Sequence, residues 1–134
     1  YEISECLVGS EMCIRDREAA MSASKFKADH LIGILDNNGV QLDGTLEDIM
    51  PMGDIRAKWE AFGWNVIPCD GHDVEDICRA VEEAKMTADK PSLILAKTVK
   101  GKGVSFMEGR NIWHGKAIGD QDYAQAKAEL GGER

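Results

Sequence analysis

Short apolar runs alternate along the chain with segments whose apolar residues recur every three or four positions. The apolar runs predict strands at residues 31–35, 65–69 and 92–98. The periodic segments predict helices at residues 18–28, 54–62, 74–84 and 120–130. Strands that alternate with helices, and that lack polar alternation, are typical of a parallel sheet buried on both faces. The pattern therefore predicts an α/β fold in which a parallel sheet is flanked by helices.

The first segment, residues 1–17, has neither a helical nor a strand period and mixes cysteine, methionine, glycine and charge. It does not begin with methionine, and the string from Cys6 to Arg17 resembles the translated adapter sequence found at the ends of metagenomic gene models. We therefore expect residues 1–17 to be an artefact, foreign to the domain, as a cloning scar would be. A genuine irregular arm is the alternative. The domain itself is expected to occupy residues 18–134.

Composition and charge argue against some classes of partner. The formal net charge of −8 disfavours a nucleic-acid-binding surface, which needs a basic face. No apolar run in the sequence approaches the roughly eighteen residues of a membrane helix. The four cysteines form no C-x-x-C pair and no cysteine-histidine cluster, so thiols in a reducing compartment are expected. These features predict a cytoplasmic protein that binds neither nucleic acid nor membrane.

Two loops follow predicted strands, at residues 36–44 and 99–115. In parallel α/β sheets ligands bind at the carboxyl ends of the strands, so these are the candidate binding loops. Asp36-Asn37-Asn38-Gly39 is, by itself, a common tight turn, because asparagine and glycine both tolerate positive φ. Alternatively, Asn38 offers a side-chain oxygen and a nearby backbone carbonyl to a hard cation such as Mg²⁺, which prefers oxygen ligands beside a phosphate.

The second loop is rich in glycine and lysine. Lys100-Gly101-Lys102-Gly103 is consistent with a solvated basic loop, or with glycines that let the backbone approach a phosphate while lysine supplies charge. His114 lies at the end of the same loop, next to Gly115. A single histidine is more often structural or merely exposed than functional, but its place at the strand ends makes His114 a candidate.

Six blocks of sequence, in order and in register, resemble the diphosphate-binding domain of transketolases. They are Glu18-Ala-Ala-Met21, Leu31-Ile-Gly-Ile-Leu-Asp-Asn-Asn-Gly-Val-Gln-Leu-Asp-Gly44, Trp59-Glu-Ala-Phe-Gly-Trp64, Asp70-Gly-His-Asp73, Leu95-Ala-Lys-Thr-Val-Lys-Gly-Lys-Gly103 and Trp113-His-Gly115. The resemblance covers about residues 18–130 and keeps the order and spacing throughout. It implies a partial thiamine-diphosphate-binding fold, with residues 18–134 as the carboxyl-terminal part of that domain.

The resemblance implies two cofactors, thiamine diphosphate and Mg²⁺, and a set of site residues. Asn38 matches a metal ligand that acts through its side chain, and Val40 matches one that acts through its backbone carbonyl. Leu42 matches the apolar residue that packs on the cofactor rings. Lys100 and His114 match a basic pair near the diphosphate and the donor sugar, which makes them the expected catalytic residues.

The implied reaction transfers a two-carbon ketol unit from a ketose phosphate to an aldose phosphate, with the cofactor as electron sink, in the pentose phosphate pathway of carbohydrate metabolism. The glutamate that activates the cofactor belongs to a second, pyrimidine-binding half. That half is the expected partner, together with sugar phosphates, in a dimeric assembly. A deoxyxylulose-phosphate synthase is the alternative enzyme, although the Asn37–Gly44 block argues against it. A non-catalytic gene fragment is the alternative from another class.

The chain departs from the family pattern in its first segment. Counting back from Asn38, the Gly-Asp-Gly that opens the family signature falls near Leu7-Val8-Gly9. Val8 stands where the metal-binding aspartate is expected, so the chain is not expected to be an active enzyme by itself. The polar end, residues 129–134, resembles the terminus of transketolases encoded as two half-chains, with truncation of a full-length enzyme as the alternative.

Overall fold

The computed structural model describes residues 14–131. Its elements in chain order are α1 (Ile14–Lys25), β1 (Ile32–Asn37), β2 (Val40–Gln41), β3 (Gly44–Thr45), α2 (Leu46–Ile49), α3 (Ile55–Ala61), β4 (Asn65–Asp70), α4 (Val74–Lys85), β5 (Ser92–Lys97), a 3₁₀ helix (Asn111–His114) and α5 (Asp120–Glu129). They form two compact units. Unit 1 takes in the chain up to Asn37 together with Met52–Thr98, and unit 2 takes in Asn38–Pro51 and the chain from Val99 onward. No helix in the described range is long and apolar enough to cross a membrane.

Unit 1 is built on a three-stranded parallel sheet in the order β1-β5-β4. β5 lies in the middle, where Ser92 pairs with Ile32 on one side and with Asn65 on the other. At the far end Lys97 is level with both Asn37 and Asp70, so the three strands end at the same height. This sheet, with helices between its strands, confirms the predicted α/β class.

Helices pack on both faces of the sheet. On one face, α4 covers β4 and β5, and the buried residues there are Ile67, Cys69, Ala80, Ala84, Ile94 and Ala96. On the other face, α1 and α3 contribute to a cluster of Ala20, Trp64, Val66 and Leu93, with Trp59 and Phe62 packed against it. Neighbouring residues of a strand point to opposite faces, so Val66 and Ile67 belong to different clusters. This double burial explains why the sequences of β4 and β5 are apolar without alternation, whereas Ile34 of β1 is exposed.

α1 begins at Ile14, one turn before the predicted start at Glu18. Asp16 lies in its first turn and Lys25 in its last, an arrangement that the helix dipole favours. The predicted start was wrong because residues 14–17 show no apolar period, although they continue the helix. The rest of the segment predicted to be foreign lies outside the described residues.

Capping residues set the bounds of the two central helices. Asp54 caps α3 by accepting a hydrogen bond from the Ala57 amide at 2.9 Å. Asp73 caps α4 in the same way, accepting from the Glu75 amide at 2.9 Å. Gly63 follows α3 with a φ of +85°, a left-handed conformation that glycine adopts without steric cost. The two aspartates therefore fix where α3 and α4 begin, and Gly63 ends α3 shortly before β4.

Unit 2 consists of a small hairpin with α2, a loop that carries the 3₁₀ helix, and α5. β2 and β3 form the antiparallel hairpin, with Val40 opposite Thr45. The lysine-glycine loop, residues 99–110, is tied to α5 through Glu129. The Glu129 carboxylate accepts hydrogen bonds from the amide and the hydroxyl of Ser105, both at 2.6 Å.

Candidate functional site

The five residues predicted for the site all lie in unit 2: Asn38, Val40, Leu42, Lys100 and His114. The first three belong to the segment that follows β1, and the other two to the segment beyond β5. Apart from residues 36 and 37, which belong to unit 1, the two predicted binding loops therefore lie in one compact unit. The role of each residue toward a cofactor, and a common crevice for Asn38 and His114, stay predictions.

The Asn38 side chain forms a local turn at the start of the hairpin. Its Oδ1 accepts a hydrogen bond from the Val40 amide at 3.0 Å. Gly39 lies between them with a φ of +75°, and its carbonyl accepts from the Leu46 amide at 3.0 Å. An amide oxygen has two lone pairs, so such an oxygen can accept a hydrogen bond and also coordinate a cation.

The hairpin exposes one apolar side chain at its tip. Val40 and Gln41 are only 8% and 7% exposed, whereas Leu42 is 59% exposed. The backbone of the hairpin is thus anchored by its buried residues while the leucine side chain is accessible. A leucine in this setting can pack against the rings of a bound ligand, as predicted for Leu42.

The two lysines of the lysine-glycine loop differ in their surroundings. The Lys102 ammonium lies 3.1 Å from the Glu108 carboxylate and forms an ion pair with it. Lys100 is half-buried, and its carbonyl accepts a hydrogen bond from the Gly109 amide at 2.8 Å. Among residues 14–131 no ion pair involves the Lys100 ammonium. Of the two lysines, Lys100 is therefore the one whose charge is available to an anionic ligand.

Three contacts hold Trp113, the residue before His114. Its indole N–H donates to the Phe106 carbonyl at 2.9 Å, and the two rings meet edge to face with centroids 5.1 Å apart. The Lys116 ammonium lies 4.2 Å from the centroid of the indole ring, within the range of a cation–π interaction. These contacts anchor the 3₁₀ helix to its loop, and His114 lies exposed at the carboxyl end of that helix.

A hydrogen bond that sequence reasoning missed joins the two segments of the site. The Asn111 side-chain amide donates to the Leu42 carbonyl at 3.0 Å. The bond connects the hairpin that follows Asn38 with the 3₁₀ helix that ends at His114. It spans 69 positions of sequence and involves no charged group, so no local motif marks it.

Within the described residues, the two oxygens predicted to bind the metal ion are both neutral. Within residues 14–131, no group of three or more histidine, cysteine, aspartate or glutamate side chains is placed to hold a metal ion. Asn38 Oδ1 and the Val40 carbonyl are hard oxygen donors of the kind that Mg²⁺ prefers, and ligand phosphates can supply the negative charge. The set therefore fits a cation that is shared with a diphosphate. Val8, which occupies the position expected for the aspartate, lies outside the described residues.

Comparison with known proteins decides the family. The sequence model of the family described as transketolase, thiamine diphosphate binding domain, matches residues 7–134. The chain belongs to this transketolase family. The match takes in nearly all of the chain and begins within the first segment.

Curated transketolase relatives are longer than this chain. It is 45% identical over 113 residues to a 6-deoxy-6-sulfo-D-fructose transketolase subunit of a Clostridium strain, covering 84% of this chain and 41% of that protein. It is 41% identical over 113 residues to an apulose-4-phosphate transketolase subunit of Phocaeicola vulgatus, covering 84% of this chain and 40% of that protein. The chain thus spans about two fifths of the length of these relatives.

Solved transketolase structures share the fold. The transketolase of Leishmania mexicana superposes with a TM-score of 0.84 and 32% identity, over 92% of this chain and 18% of that one. The transketolase of Campylobacter jejuni gives a TM-score of 0.80 and 34% identity, over 87% of this chain and 18% of that one. These likenesses confirm the predicted thiamine-diphosphate-binding type of α/β fold.

Proposed function

We propose that this chain is part of an enzyme that transfers a two-carbon ketol unit from a ketose phosphate to an aldose phosphate. One observation carries the proposal: within unit 2, the hairpin that contains Val40 and Leu42 is hydrogen-bonded to the 3₁₀ helix that ends at His114. Membership of the thiamine diphosphate-binding domain family supports the cofactor, and with it this class of reaction.

In this proposal the hairpin segment holds Mg²⁺ and the cofactor rings. Asn38 binds the cation through Oδ1 and Val40 through its carbonyl, and the 3.0 Å hydrogen bond between these residues supports a preformed turn. Leu42, exposed at the hairpin tip, packs on the cofactor rings. Lys100 supplies positive charge to the diphosphate, which suits a half-buried lysine in a glycine-rich loop.

Bound thiamine diphosphate supplies a nucleophilic carbon and an electron sink, chemistry that protein side chains lack. His114 is the residue of this chain that we assign to the donor sugar. Its exposed imidazole is a hydrogen-bonding group that can stabilise charge as it develops on a sugar oxygen. Lys100 assists through a fixed positive charge. A single group of this kind contributes about a hundredfold to a thousandfold in kcat.

We infer that the chain works with a pyrimidine-binding half. Two relatives are described as transketolase subunits, and the chain spans about two fifths of their length. A separate subunit, or a missing part of the same chain, would complete the site in a dimeric assembly with sugar phosphates as substrates. A cytoplasmic location and a place in the pentose phosphate pathway belong to the same proposal.

Product analysis tests the proposed reaction. The chain, given a family-like amino-terminal segment and mixed with a pyrimidine-binding half, receives an aldose phosphate and either xylulose 5-phosphate or pyruvate. We expect a sugar extended by two carbons from xylulose 5-phosphate. Turnover with pyruvate instead would favour a deoxyxylulose-phosphate synthase. Absence of product from either donor, in an assembly that binds the cofactor, would favour a non-catalytic fragment.

A further inference from the structure

We propose that Asn111 is a positioning residue that couples the cofactor hairpin, residues 40–45, to His114. The inference rests on the proposed function, because Leu42 and His114 take their roles from it. Asn111 acts through these two residues, since its own side chain is engaged with the hairpin backbone. The proposal adds a residue outside the set of ligands and charged groups that the family resemblance selects.

The Asn111 side chain reaches out of the helix that it begins. Its Nδ2 donates to the Leu42 carbonyl at 3.0 Å, and the preceding residue, Arg110, makes no side-chain cap to the helix. Leu42 lies in the turn between the paired residues Gln41 and Gly44, so its carbonyl is outside the β-ladder. The hydrogen bond therefore holds the tip of the hairpin at Leu42, the residue whose side chain we assign to packing on the cofactor rings.

The same short helix is anchored a second time near its other end. Trp113 donates its indole N–H to the Phe106 carbonyl at 2.9 Å. The helix has four residues, Asn111–His114, so these two anchors leave little room for it to turn or slide. His114 is the next residue after the Trp113 anchor. Without the Asn111 hydrogen bond, the helix would keep only the Trp113 hydrogen bond to its own loop. The hairpin tip would then no longer be connected to the helix that carries His114.

Asparagine has the chemistry that this position needs. Its amide donates through a short side chain, whereas an ionised aspartate of the same shape only accepts and would face the Leu42 carbonyl oxygen with like charge. A hydrogen bond of this kind changes a local opening equilibrium about three- to tenfold. Asn111→Asp therefore removes the coupling with the least change in volume, and Asn111→Gln keeps the donor.

Amide hydrogen exchange and NMR on the full chain test the coupling directly. We expect Asn111→Asp to speed exchange about three- to tenfold at residues 40–46 and at residues 111–115, with β5 and α4 unchanged. The ring signals of His114 should shift in this variant and return toward their native positions in Asn111→Gln. Gln121→Glu makes the same amide-to-acid change at an exposed position of α5 and should alter neither readout.

The result that would overturn the coupling is native exchange at residues 40–46 together with native His114 signals in Asn111→Asp. Asn111→Ala repeats the comparison without an added charge. If that variant also leaves both readouts native, the proposal is wrong.

The complete assembly, with its amino-terminal segment and pyrimidine-binding half, tests the consequence for catalysis. There, Asn111→Asp should raise the dissociation constant of thiamine diphosphate and lower kcat together, while the KM of the acceptor sugar stays unchanged. Asn111→Gln should restore both, which a general loss of stability would not allow. A native cofactor dissociation constant and a native kcat for Asn111→Asp, in an assembly that is active, would overturn the positioning role of Asn111 but not the proposed function. If exchange shows the coupling but the native assembly transfers no ketol unit, the proposed function fails and the coupling stands.

Discussion

Gly71 lies where the chain leaves β4 and passes close to the end of β5. Its amide donates to the Lys97 carbonyl at 2.9 Å. A Cβ at this position would overlap the Thr98 methyl group and would lie 3.2 Å from the Lys97 carbonyl oxygen and 3.3 Å from Ala96 Cβ. Glycine is therefore required at this strand end because there is no room for a side chain. Two of the three atoms in the way, from Lys97 and Ala96, belong to β5.

Gly71→Ala should destabilise unit 1 by about 1–3 kcal/mol, the usual cost of forcing atoms into a packed site. The matched change Gly115→Ala places its methyl group in open space and should alter the free energy of unfolding by less than about 0.5 kcal/mol. Urea unfolding of the two variants measures both values. Equal stability of the two alanine variants would contradict this account of Gly71.

Asn38→Ala should weaken Mg²⁺-dependent binding of thiamine diphosphate in the complete assembly by on the order of a hundredfold. The change removes the oxygen that accepts the Val40 amide proton and that we assign to the metal. Asn38→Asp keeps an oxygen at the same place and serves as the control, with binding closer to native. Calorimetric titration with and without Mg²⁺ measures the difference. Native affinity in Asn38→Ala would remove Asn38 from the metal site.

His114→Ala should mainly slow turnover in the same assembly, by about a hundredfold to a thousandfold. The exposed imidazole is assigned to the sugar, so the dissociation constant of the cofactor should change little. Steady-state kinetics beside cofactor titration separates the two effects. A large loss of cofactor affinity with native kcat would assign His114 to the diphosphate instead.

At the scale of the element, the regular segments follow from the apolar pattern and the small ones do not. The predicted strands match β1, β4 and β5 to within two residues, because each is a short apolar run bounded by turn residues. The hairpin, α2 and the 3₁₀ helix were not predicted, since segments of four residues or fewer show no period. Their positions depend on distant contacts such as the bond from Asn111 to Leu42. Sequence could therefore propose site residues, whose roles stay predictions, but not the contacts that join their segments.

The hydrogen bonds that join the lysine-glycine loop to α5, from Ser105 to the Glu129 carboxylate, should depend on pH. Hydrogen bonds from the Ser105 hydroxyl, the Gln125 amide and the Ser105 backbone hold the pKa of the Glu129 carboxyl below its ordinary value. A lowered folded-state pKa means that this stabilisation is present above the ordinary glutamate pKa of about 4.3 and is lost as pH falls below it. The Ser105 amide signal should titrate in that lower range.

Glu129→Gln tests this tie at neutral pH. The variant should speed amide exchange at residues 104–106, because a neutral acceptor forms weaker hydrogen bonds than a carboxylate. Glu47→Gln makes the same change at an exposed position of α2 and should leave that exchange unaltered. A Ser105 amide signal that titrates at or above the ordinary glutamate pKa would show the carboxylate to be unpaired in solution.

At the scale of the whole molecule, half of the proposed metal site depends on the first segment. In that proposal Asn38 and Val40 supply one side, and Val8 stands at the sequence position where the family resemblance implies an aspartate for the other. The unmodified chain should therefore show little Mg²⁺-dependent binding of thiamine diphosphate by calorimetry, even when mixed with a pyrimidine-binding half. Replacing residues 1–17 with a family-like segment that contains Gly-Asp-Gly should restore binding and ketol transfer. Tight metal-dependent binding by the unmodified chain would overturn this account.

The three tryptophans are divided between the two units. Trp59 and Trp64 contact each other in unit 1 with ring centroids 5.0 Å apart, whereas Trp113 lies in unit 2 with the Lys116 ammonium over its ring. Each unit therefore carries its own natural fluorophore. With excitation at a wavelength that tryptophan absorbs and tyrosine does not, Trp113→Phe leaves the emission of Trp59 and Trp64 in unit 1. Its difference from the native spectrum is the emission of Trp113 in unit 2. Loosening of either unit can then be followed optically, without any attached dye.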